Sequence, residues 1–520
     1  MRKINILWAD DEIDLLKPHI IFLEEKGYQV QTTTNGNEAI DALDQTPADI
    51  VFLDENMPGL SGMETLDRIK KKDPNLPVVI ITKNEDESLM EDAIGSRIAG
   101  YLLKPVNPKQ ILLLLKKTLD ESRLVSEKTT MSYQQEFRSI GMTLGDRLDQ
   151  EEWKALYQKL TFWDLELQQS DQNDMNEILQ HQKQEANTLF SKYIEKNYLD
   201  WLNQPDKDTP IMSHTLLQKS VFPLLKQGKK IFLVLIDNLR YDQWKMLNPL
   251  LGQQFRLEEE TMYYSILPTA TQYARNALFA GLMPSEISKK YPNYWVDEQD
   301  EGSKNRFEAE LLQEHLKRFG LNIKSSYHKI VNLQAGKKLS ENLQNLKDNQ
   351  LNVIVFNFVD MLSHARTDME VIRELADDEA AYRSLTLSWF EHSPLRDIFR
   401  QLAQGDWADV KTVITSDHGT IRVQEPSKVV GDKNTSTNLR YKHGKNLKYE
   451  DSEVFAIERP EDAFLPRTNV SSKYIFAKDQ KFFAYPNNYN YYVNFYRNTF
   501  QHGGISLEEV LVPFVMMSAK

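Results

Sequence analysis

The sequence predicts a multidomain α/β protein with three parts, at residues 1–122, 123–210 and 211–520. Three observations support this prediction. The first part alternates short apolar runs with amphipathic helical patterns, the second has hardly any glycine or proline, and the third returns to buried strands that end in acidic or histidine residues. A chain of 520 residues is also too long for one ordinary core.

Composition and charge narrow the kind of protein this can be. Hydrophobic residues make up 41% and charged residues 27%, the balance of a globular rather than a disordered protein. The formal net charge of −13 disfavours nonspecific binding to a nucleic-acid backbone, and we find no zinc-finger or helix-turn-helix pattern. Direct DNA binding is therefore not expected.

The absence of cysteine limits the possible metal ligands, and the short apolar runs indicate where in the cell the protein is expected. The chain has no cysteine, so any metal must be held by histidine and carboxylate ligands. The N-terminal stretch reaches Asp10 too early for a signal peptide. The longest apolar runs, at 231–236 and 111–115, are far shorter than the roughly 20 residues of a membrane-spanning helix. We expect a cytoplasmic protein without membrane insertion.

Residues 1–122 alternate between strand and helix patterns, as in a doubly wound parallel sheet. The predicted strands cover 3–9, 28–32, 50–53, 78–82 and 100–103, and the predicted helices cover 13–26, 36–43, 62–71, 88–97 and 107–119. Polar residues follow the strands, namely Asp10, Asp11, Asp54, Thr82 and Lys104. Three carboxylates at neighbouring strand ends would repel each other unless a divalent cation joined them, and hard oxygen ligands suit Mg²⁺.

These positions resemble the response-regulator receiver family. The matching residues are Asp10-Asp11, Asp54 within the run Asp-Glu-Asn-Met-Pro-Gly, Thr82, Tyr101 and Lys104-Pro105. The resemblance implies a flavodoxin-like fold and phosphorylation of Asp54 by a sensor histidine kinase. A phosphoryl group adds about −1.5 to −2 charges, which is enough to draw a loop into a second arrangement.

The same resemblance implies roles for individual residues. Mg²⁺ would be held by Asp11, Asp54 and the carbonyl of Asn56, with Asp10 in support. Lys104 and Thr82 would contact the phosphoryl oxygens, and Tyr101 would move inward when Thr82 does.

The middle part, 123–210, is expected to form a helical bundle that connects the other two. Apolar residues recur at helical spacing between 124 and 201, and the tryptophans Trp153, Trp163 and Trp201 are interpreted as core residues. The glutamine-rich piece at 168–184 is interpreted as solvated helix faces rather than a low-complexity segment. Residues 204–210, which contain two prolines, are expected to form the exit linker.

The third part carries acidic and imidazole groups at several strand ends. Asp237 follows the predicted strand 230–236, Asp360 and His364 follow 352–358, and Asp417 and His418 follow 411–415. His502 begins a His-Gly-Gly run near the C-terminus. Each alone has an ordinary explanation, since aspartate often caps a helix and a lone histidine is usually structural. The six together fit two metal sites with nitrogen and oxygen ligands.

A nucleophile is the remaining requirement of a catalytic site. Residues 267–276 form a loop that enters a predicted helix, and Thr271 falls at the N-cap or first turn, where the helix terminus favours anions. A metal beside the hydroxyl would lower its pKa. Taken alone, Thr271 would be interpreted as a simple N-cap, and Thr269 is an alternative nucleophile that precedes the helix.

This pattern resembles the PglZ branch of the alkaline phosphatase superfamily, over roughly 230–515. The resemblance rests on the ordered ligands, the Pro-Thr-x-Thr loop and the closing His-Gly-Gly-x-Ser-x-x-Glu run. It implies a fold with a largely parallel central sheet and two Zn²⁺ ions, with Mn²⁺ as an alternative. One ion would be bound by Asp237, Thr271, Asp417 and His418, and the other by Asp360, His364 and His502. Thr271 would form a covalent phospho-threonine that water then hydrolyses.

Three basic residues are candidates for contacting a nucleotide-like phosphoester substrate. Arg275 lies on the helix that follows Thr271, and Arg440 and Lys442 lie in the loop 438–444. Basic groups beside a tyrosine can bind phosphate and stack a base, so the loop is a candidate substrate lid. It is equally consistent with an ordinary exposed loop.

The three parts in this order resemble the PorX-type response regulators of type IX secretion. The resemblance implies phosphorylation-dependent homodimerisation and partners such as a sigma factor or a secretion component. Two functions follow: a two-zinc phosphodiesterase or phosphatase controlled by phosphorylation, or a zinc-stabilised module that only binds a partner. The presence of Thr271 beside six ligands favours the enzyme, since a binding module needs no nucleophile.

Overall fold

The computed structural model describes residues 4–73, 76–83, 98–168, 173–298, 300, 302–368, 378–407, 409–432, 435–467 and 469–520. Within these ranges, the side chains of 119–131, 173, 174, 364–368 and 406 are not described. The chain forms two compact units, Met1–Met131 and Ser132–Lys520.

The first unit contains one parallel sheet of five strands. They are β1 (Asn5–Ala9), β2 (Gln29–Thr33), β3 (Ile50–Asp54), β4 (Val78–Thr82) and β5 (Gly100–Leu103), in the order β2-β1-β3-β4-β5. The helical segments are a 3₁₀ turn (Ile13–Leu16), α1 (Lys17–Glu25), α2 (Gly36–Gln45), α3 (Gly62–Lys72) and α4 (Pro108–Gly145). This strand order is that of the flavodoxin-like fold, which confirms the predicted class. The helix predicted at 88–97 lies outside the described residues.

Two apolar cores cover the two faces of this sheet. Ile6, Trp8, Ile50 and Phe52 belong to one core, and the residues next to them in sequence, such as Leu7 and Val51, belong to the other. Successive residues of a strand point to opposite faces, so uninterrupted apolar runs are required where both faces are buried.

The second unit begins with the helices that follow the receiver. α4 ends in it, followed by α5 (Gln150–Gln168) and α6 (Asn173–Asn203). Trp153 and Trp163 are buried and Trp201 is partly buried, as expected of core residues. They belong to the same apolar core as the strands of the C-terminal part. The helical character predicted for this part is confirmed, and its buried side chains pack into the core of the C-terminal part.

The C-terminal part is built on a mixed sheet of six strands. The strands of this part are β6 (Lys230–Ile236), β7 (Phe255–Tyr264), β8 (Ser325–Ile330), β9 (Leu351–Phe356), β10 (Val410–Thr415), β11 (Ile421–Arg422), β12 (Glu425–Lys428), β13 (Tyr441–Gly444), β14 (Val454–Ile457), β15 (Lys473–Ala477), β16 (Lys481–Ala484), β17 (Phe500–Gln501) and β18 (Leu511–Ala519). The main sheet has the order β7-β18-β10-β6-β9-β8. Strands β10, β6, β9 and β8 are parallel, and β18 is antiparallel to both of its neighbours.

Helices connect these strands. They are α7 (Ser213–Leu216), a π turn (Leu217–Val221), α8 (Phe222–Lys226), α9 (Tyr241–Leu251), α10 (Thr271–Ala280), α11 (Pro284–Lys290), α12 (Glu308–Arg318), α13 (Leu333–Glu341), α14 (Phe358–Asp368), α15 (Glu379–His392), α16 (Pro394–Leu402), α17 (Tyr489–Tyr496) and α18 (Leu507–Val510), with 3₁₀ turns at Pro292–Tyr294, Leu343–Leu346, Gly405–Trp407, Asp451–Glu453 and Pro460–Ala463. Among the helices in the described ranges, none combines the length and the apolar character that crossing a membrane requires.

Candidate functional sites

The first candidate site lies at the carboxyl ends of β1, β3 and β5. One carboxylate oxygen each of Asp10, Asp11 and Asp54 lies within 4.8 Å of the others. Lys104 Nζ lies 2.8 Å from Asp10 Oδ2 and 2.7 Å from Asp54 Oδ1. Asp10 and Asp54 are buried and Asp11 is exposed, so the group opens to solvent on one side. The predicted acidic residues and the lysine are thus brought together.

Burial and charge act in opposite directions on Asp54. Burial raises the pKa of Asp54, and the neighbouring Asp10 and Asp11 add to this, although Lys104 lowers it. A divalent cation would offset the carboxylate repulsion, so the geometry and chemistry of the three carboxylates fit Mg²⁺.

The other predicted receiver residues surround this cluster. Thr82 is buried at the end of β4 and its hydroxyl donates to the Glu55 carboxylate. Tyr101 is half-buried and packs against the core on one face of the sheet, and Asn56 is exposed in the loop after Asp54. Contact between Thr82 and a phosphoryl group on Asp54 would require its hydroxyl to give up the Glu55 carboxylate.

The second candidate site lies where β10, β6 and β9 end side by side. Asp237 follows β6, and Asp417 and His418 follow β10; all three are buried. One ligand atom of each lies within 4.8 Å of the other two. Because the strands are parallel neighbours, residues that follow them meet at one edge of the sheet.

The imidazole of His418 is oriented by a backbone hydrogen bond. Its Nδ1 lies 3.1 Å from the Gly419 carbonyl oxygen, which can only accept, so Nδ1 carries the proton. Nε2 therefore presents its lone pair to the site, 3.7 Å from Asp417 Oδ2 and 3.9 Å from Asp237 Oδ1. A backbone carbonyl that fixes the histidine tautomer in this way is typical of metal ligands.

Thr271 reaches the same cluster from the start of α10. Its Oγ1 lies 3.0 Å from His418 Nε2 and 3.5 Å from Asp237 Oδ1. Thr269, the alternative nucleophile, has its hydroxyl engaged elsewhere: it donates to Gly504 O at 2.9 Å and accepts from Gly503 N at 3.0 Å. The geometry favours Thr271 because its hydroxyl faces the acidic and imidazole groups.

Asp360 and His502 lie together next to this cluster. His502 Nε2 is 3.7 Å from Asp360 Oδ1, and the His502 and His418 rings stack with centroids 4.3 Å apart. His502 Nδ1 donates to Thr269 O at 3.1 Å, which leaves the lone pair of Nε2 on the side of Asp360. The side chain of His364 lies outside the described part of the chain. Of the three residues predicted to bind the second ion, Asp360 and His502 therefore lie close together.

Gly503 allows the close approach behind His502. Its φ of +120° is unfavourable for other residues, and a Cβ built on it would lie 2.6 Å from the Tyr441 ring. This turn is held by Glu509, whose Oε1 accepts from Gly504 N at 2.9 Å.

The basic residues predicted to contact substrate have other partners. Arg440 is wholly buried and forms a two-pronged ion pair with Glu509, at 3.1 Å and 2.6 Å. Lys442 is buried in β13 and donates to Ser436 O at 2.9 Å. Neither side chain is therefore presented to a substrate as a lid at 438–444 requires, because Tyr441–Gly444 pairs as a strand and both side chains are enclosed in the domain. Burial lowers the pKa of Lys442 to about 8.

Arg275 is also buried rather than exposed to substrate. Its NH1 lies 2.9 Å from Asp237 Oδ2 and its Nε 2.6 Å from Glu308 Oε1. It thereby holds one oxygen of Asp237 and leaves Oδ1 toward Thr271 and His418. Glu308 was not predicted, since an acidic residue in the first turn of a helix has a common local explanation.

The buried carboxylates of this cluster resist ionisation. Burial raises the pKa of Asp237 to about 8, with Asp417 and Glu308 adding to the increase, and burial also raises the pKa of Asp417. Arg275 opposes both shifts. One arginine thus does not fully compensate the buried acidic groups, which is the situation that a divalent cation would relieve.

Three protein families match the chain in sequence order. The response regulator receiver domain matches residues 6–116, the PorX response regulator linker domain 123–202, and the BREX system PglZ alkaline phosphatase-like domain 216–517.

Individual relatives match a smaller part. The phosphoglycerate transport system transcriptional regulatory protein PgtA of Salmonella typhimurium is 33% identical over 121 residues, covering 23% of this chain and 29% of that protein. ZraR of Klebsiella oxytoca is 30% identical over 139 residues, covering 27% of this chain and 31% of that protein. The chain thus spans less than a third of the length of either regulator. A receiver domain structure from Clostridium thermocellum is 30% identical and covers 23% of this chain and 98% of that one, with a TM-score of 0.22.

The fold and the matched families define a two-component response regulator whose C-terminal domain is alkaline-phosphatase-like. The receiver carries the cluster of Asp10, Asp11, Asp54 and Lys104, and the C-terminal sheet carries the cluster around Thr271. The chain belongs to the PglZ family and, with a receiver and a PorX linker domain preceding the PglZ domain, it is a PorX-type response regulator.

Proposed function

We propose that the chain is a response regulator phosphorylated on Asp54 whose C-terminal domain hydrolyses phosphodiesters or phosphomonoesters of nucleotide type, with Thr271 as nucleophile. The observation that carries the proposal is the placement of the Thr271 hydroxyl 3.0 Å from His418 Nε2, within a buried group of acidic ligands. An enzyme of this kind needs a nucleophile at this place, whereas a module that only binds a partner does not.

The donor set fits two divalent cations of the zinc type. Asp237, Asp417 and His418, with Thr271, would hold one ion, and Asp360 and His502, with His364, would hold the other. Oxygen and imidazole donors suit Zn²⁺ and also Mn²⁺. Such ions would bind phosphate oxygens and lower the pKa of the Thr271 hydroxyl.

The residues of the chain define the reaction. The Thr271 hydroxyl loses its proton to solvent as its Oγ1 forms a bond to phosphorus. The bond from phosphorus to the leaving ester oxygen breaks on the opposite side, and this oxygen takes up a proton from water and leaves as an alcohol. Thr271 is the first residue of α10, and the free amide groups at this helix terminus favour the phosphate anion. Water then attacks the phospho-threonine, which releases phosphate or a phosphomonoester and restores the hydroxyl.

Regulation enters through the receiver. A sensor histidine kinase would supply the phosphoryl group to Asp54, with Mg²⁺ in the cluster of Asp10, Asp11 and Asp54. Phosphorylation would favour a homodimer and change contacts with a sigma factor or a component of type IX secretion. The matched receiver, linker and PglZ domains support these roles.

Metal analysis combined with a hydrolysis assay tests the proposal. We expect about two zinc ions per chain, as in other two-metal phosphoesterases, and metal-dependent turnover of bis-p-nitrophenyl phosphate or of a nucleotide ester. Metal without turnover on diesters, monoesters and nucleotides would favour the binding module instead. A well-folded sample without metal would show that the ligand assignment is wrong.

Asp54→Asn is expected to accept no phosphoryl group from acetyl phosphate and Mg²⁺, because the amide oxygen cannot act as the acceptor. Intact-mass measurement before and after incubation checks this. Asp44→Asn is the matched control, since Asp44 is 51% exposed and pairs only with Lys72 among its described ion pairs. Phosphorylation of the Asp54→Asn variant to the wild-type extent would place the acceptor elsewhere.

A further inference from the structure

The helix α6 presents one buried stripe of side chains to the loops of the second candidate site. Asn187, Ser191, Ile194 and Tyr198 follow at spacings of four, three and four residues, so they share a face, and each is 1% exposed. Three of the four are polar. Polar side chains buried at this level require specific partners, and the partners lie in two loops.

Tyr198 contacts the loop that leads to Thr271. Its hydroxyl oxygen accepts a hydrogen bond of 2.9 Å from the backbone N–H of Leu267. Leu267 is two residues before Thr269, whose carbonyl accepts from His502 and whose hydroxyl bonds the Gly503–Gly504 turn. The contact from Tyr198 therefore fixes the start of a segment that contains the nucleophile and also supports His502.

Asn187 contacts the segment that follows His502. Its Oδ1 accepts from Leu507 N at 2.7 Å, and its Nδ2 donates to Glu508 Oε2 at 3.0 Å. Ser191 adds a contact of 3.3 Å to Ile505 O and donates to Asp479 Oδ1 at 2.9 Å. The Asn187 side chain thus satisfies both the backbone N–H of Leu507 and the carboxylate of Glu508, just beyond the Gly503–Gly504 turn.

We infer that α6 positions the metal centre: Tyr198 holds the loop of Thr271, and Asn187 holds the loop of His502. The inference rests on the proposed function, and it extends that function to regulation. α6 belongs to the linker segment, which precedes the PglZ domain in the chain. A displacement of this helix would shift the nucleophile loop and the His502 loop together, so the linker is a control element of the site.

The role of Asn187 in holding the His502 loop is tested by the zinc affinity of an Asn187→Leu variant, a measurement that does not require catalysis. Leucine keeps the volume and removes both hydrogen bonds of Asn187, so the His502 loop loses this part of its support, while the contacts of Glu509 and Ser191 remain. Loss of a group that orients a ligand lowers metal affinity about tenfold or more. We therefore expect one of the two zinc ions to be lost at a concentration of competing chelator about tenfold lower than for the wild type. Asn197→Ala is the control, since the hydrogen bond that Asn197 Nδ2 makes among the described residues stays within its own helix, to Tyr193 O.

The role of Tyr198 in holding the Thr271 loop is tested by the kinetics of a Tyr198→Phe variant. Phenylalanine keeps the ring in the core and removes only the acceptor for Leu267 N–H. We expect kcat to fall about tenfold, with KM, zinc content and melting temperature near those of the wild type. Tyr193→Phe, on the same helix, is the matched control and should retain the wild-type kcat.

The outcomes separate this inference from the proposed function. If the wild type binds zinc but hydrolyses no phosphoester, the proposed function fails, and the zinc affinity of Asn187→Leu still decides the positioning role. If Asn187→Leu does not fold, Asn187→Asp replaces it; this change keeps the acceptor for Leu507 N–H and places a carboxylate against Glu508, with the same expected direction. Wild-type zinc affinity in the Asn187 variant together with wild-type kcat in Tyr198→Phe would overturn the inference.

Discussion

Replacement of Thr271 by alanine is expected to abolish hydrolysis, with kcat falling by about six orders of magnitude, as for loss of the nucleophilic serine in a serine hydrolase. The hydroxyl lies 3.0 Å from His418 Nε2 and 3.5 Å from Asp237 Oδ1, so it faces the acidic and imidazole groups of the site. Steady-state turnover of bis-p-nitrophenyl phosphate measures the effect.

Metal content and partner binding should survive this substitution. Asp237, Asp417 and His418 remain in place, and their ligand atoms already lie within 4.8 Å of one another. Elemental analysis should therefore give a zinc content close to the wild type. This separates an enzyme from a binding module, since a partner that binds only the surface should not depend on the half-buried methyl and hydroxyl groups of Thr271.

Two controls make the Thr271 result specific. Thr271→Ser keeps the hydroxyl and should retain activity within about tenfold of the wild type. Mass spectrometry after rapid acid quenching should find a phosphorylated peptide that includes Thr271 in the wild type and none in Thr271→Ala. If Thr271→Ala turns over at the wild-type rate, the nucleophile is elsewhere, and Thr269 becomes the first candidate.

Asp417→Asn is expected to remove a metal ion and lower turnover by about a thousandfold, since a metal supplies several kcal/mol of transition-state stabilisation. Asparagine keeps the shape of the side chain and removes the charge that a divalent cation requires. Elemental analysis and the diester assay measure the two effects. Asp397→Asn is the control, since Asp397 is 60% exposed on α16 and pairs only with Arg400 among its described ion pairs.

The same substitution should stabilise the metal-free protein. Burial raises the pKa of Asp417 and raises that of Asp237 to about 8, so the folded state holds these protons more tightly than the unfolded chain, where aspartate has a pKa of about 3.9. A folded state that binds more protons loses stability as pH rises. The metal-free wild type should therefore lose stability between about pH 4 and pH 8, and Asp417→Asn should lose less.

Thermal unfolding of both proteins in a chelator, at pH 5 and pH 8, measures this difference. We expect the two melting temperatures to be close at pH 5 and that of Asp417→Asn to be higher at pH 8. Added zinc should reverse the order at pH 8, because only the wild type keeps the full ligand set. A metal-free variant that is less stable than the wild type at pH 8 would contradict the electrostatic argument.

The sequence by itself determined the domain order, the receiver fold and the residues of both acidic clusters. These features are local. Short apolar runs mark buried strands; Asp237 follows one such strand directly, and Asp417 and His418 follow another after one serine. Parallel strands then place their ends at one edge of the sheet without further information from the sequence.

Only the tertiary structure decided the roles of the basic residues and of the linker helices. Arg275, Arg440 and Lys442 were predicted to contact substrate, yet each is buried, and the arginines pair with Glu308 and Glu509, 33 and 69 residues away. The contact of Tyr198 with Leu267 likewise crosses 69 residues. Periodicity in a sequence shows which face of an element is apolar, but a buried charge depends on a partner that folding brings from far along the chain, and a local pattern does not contain it.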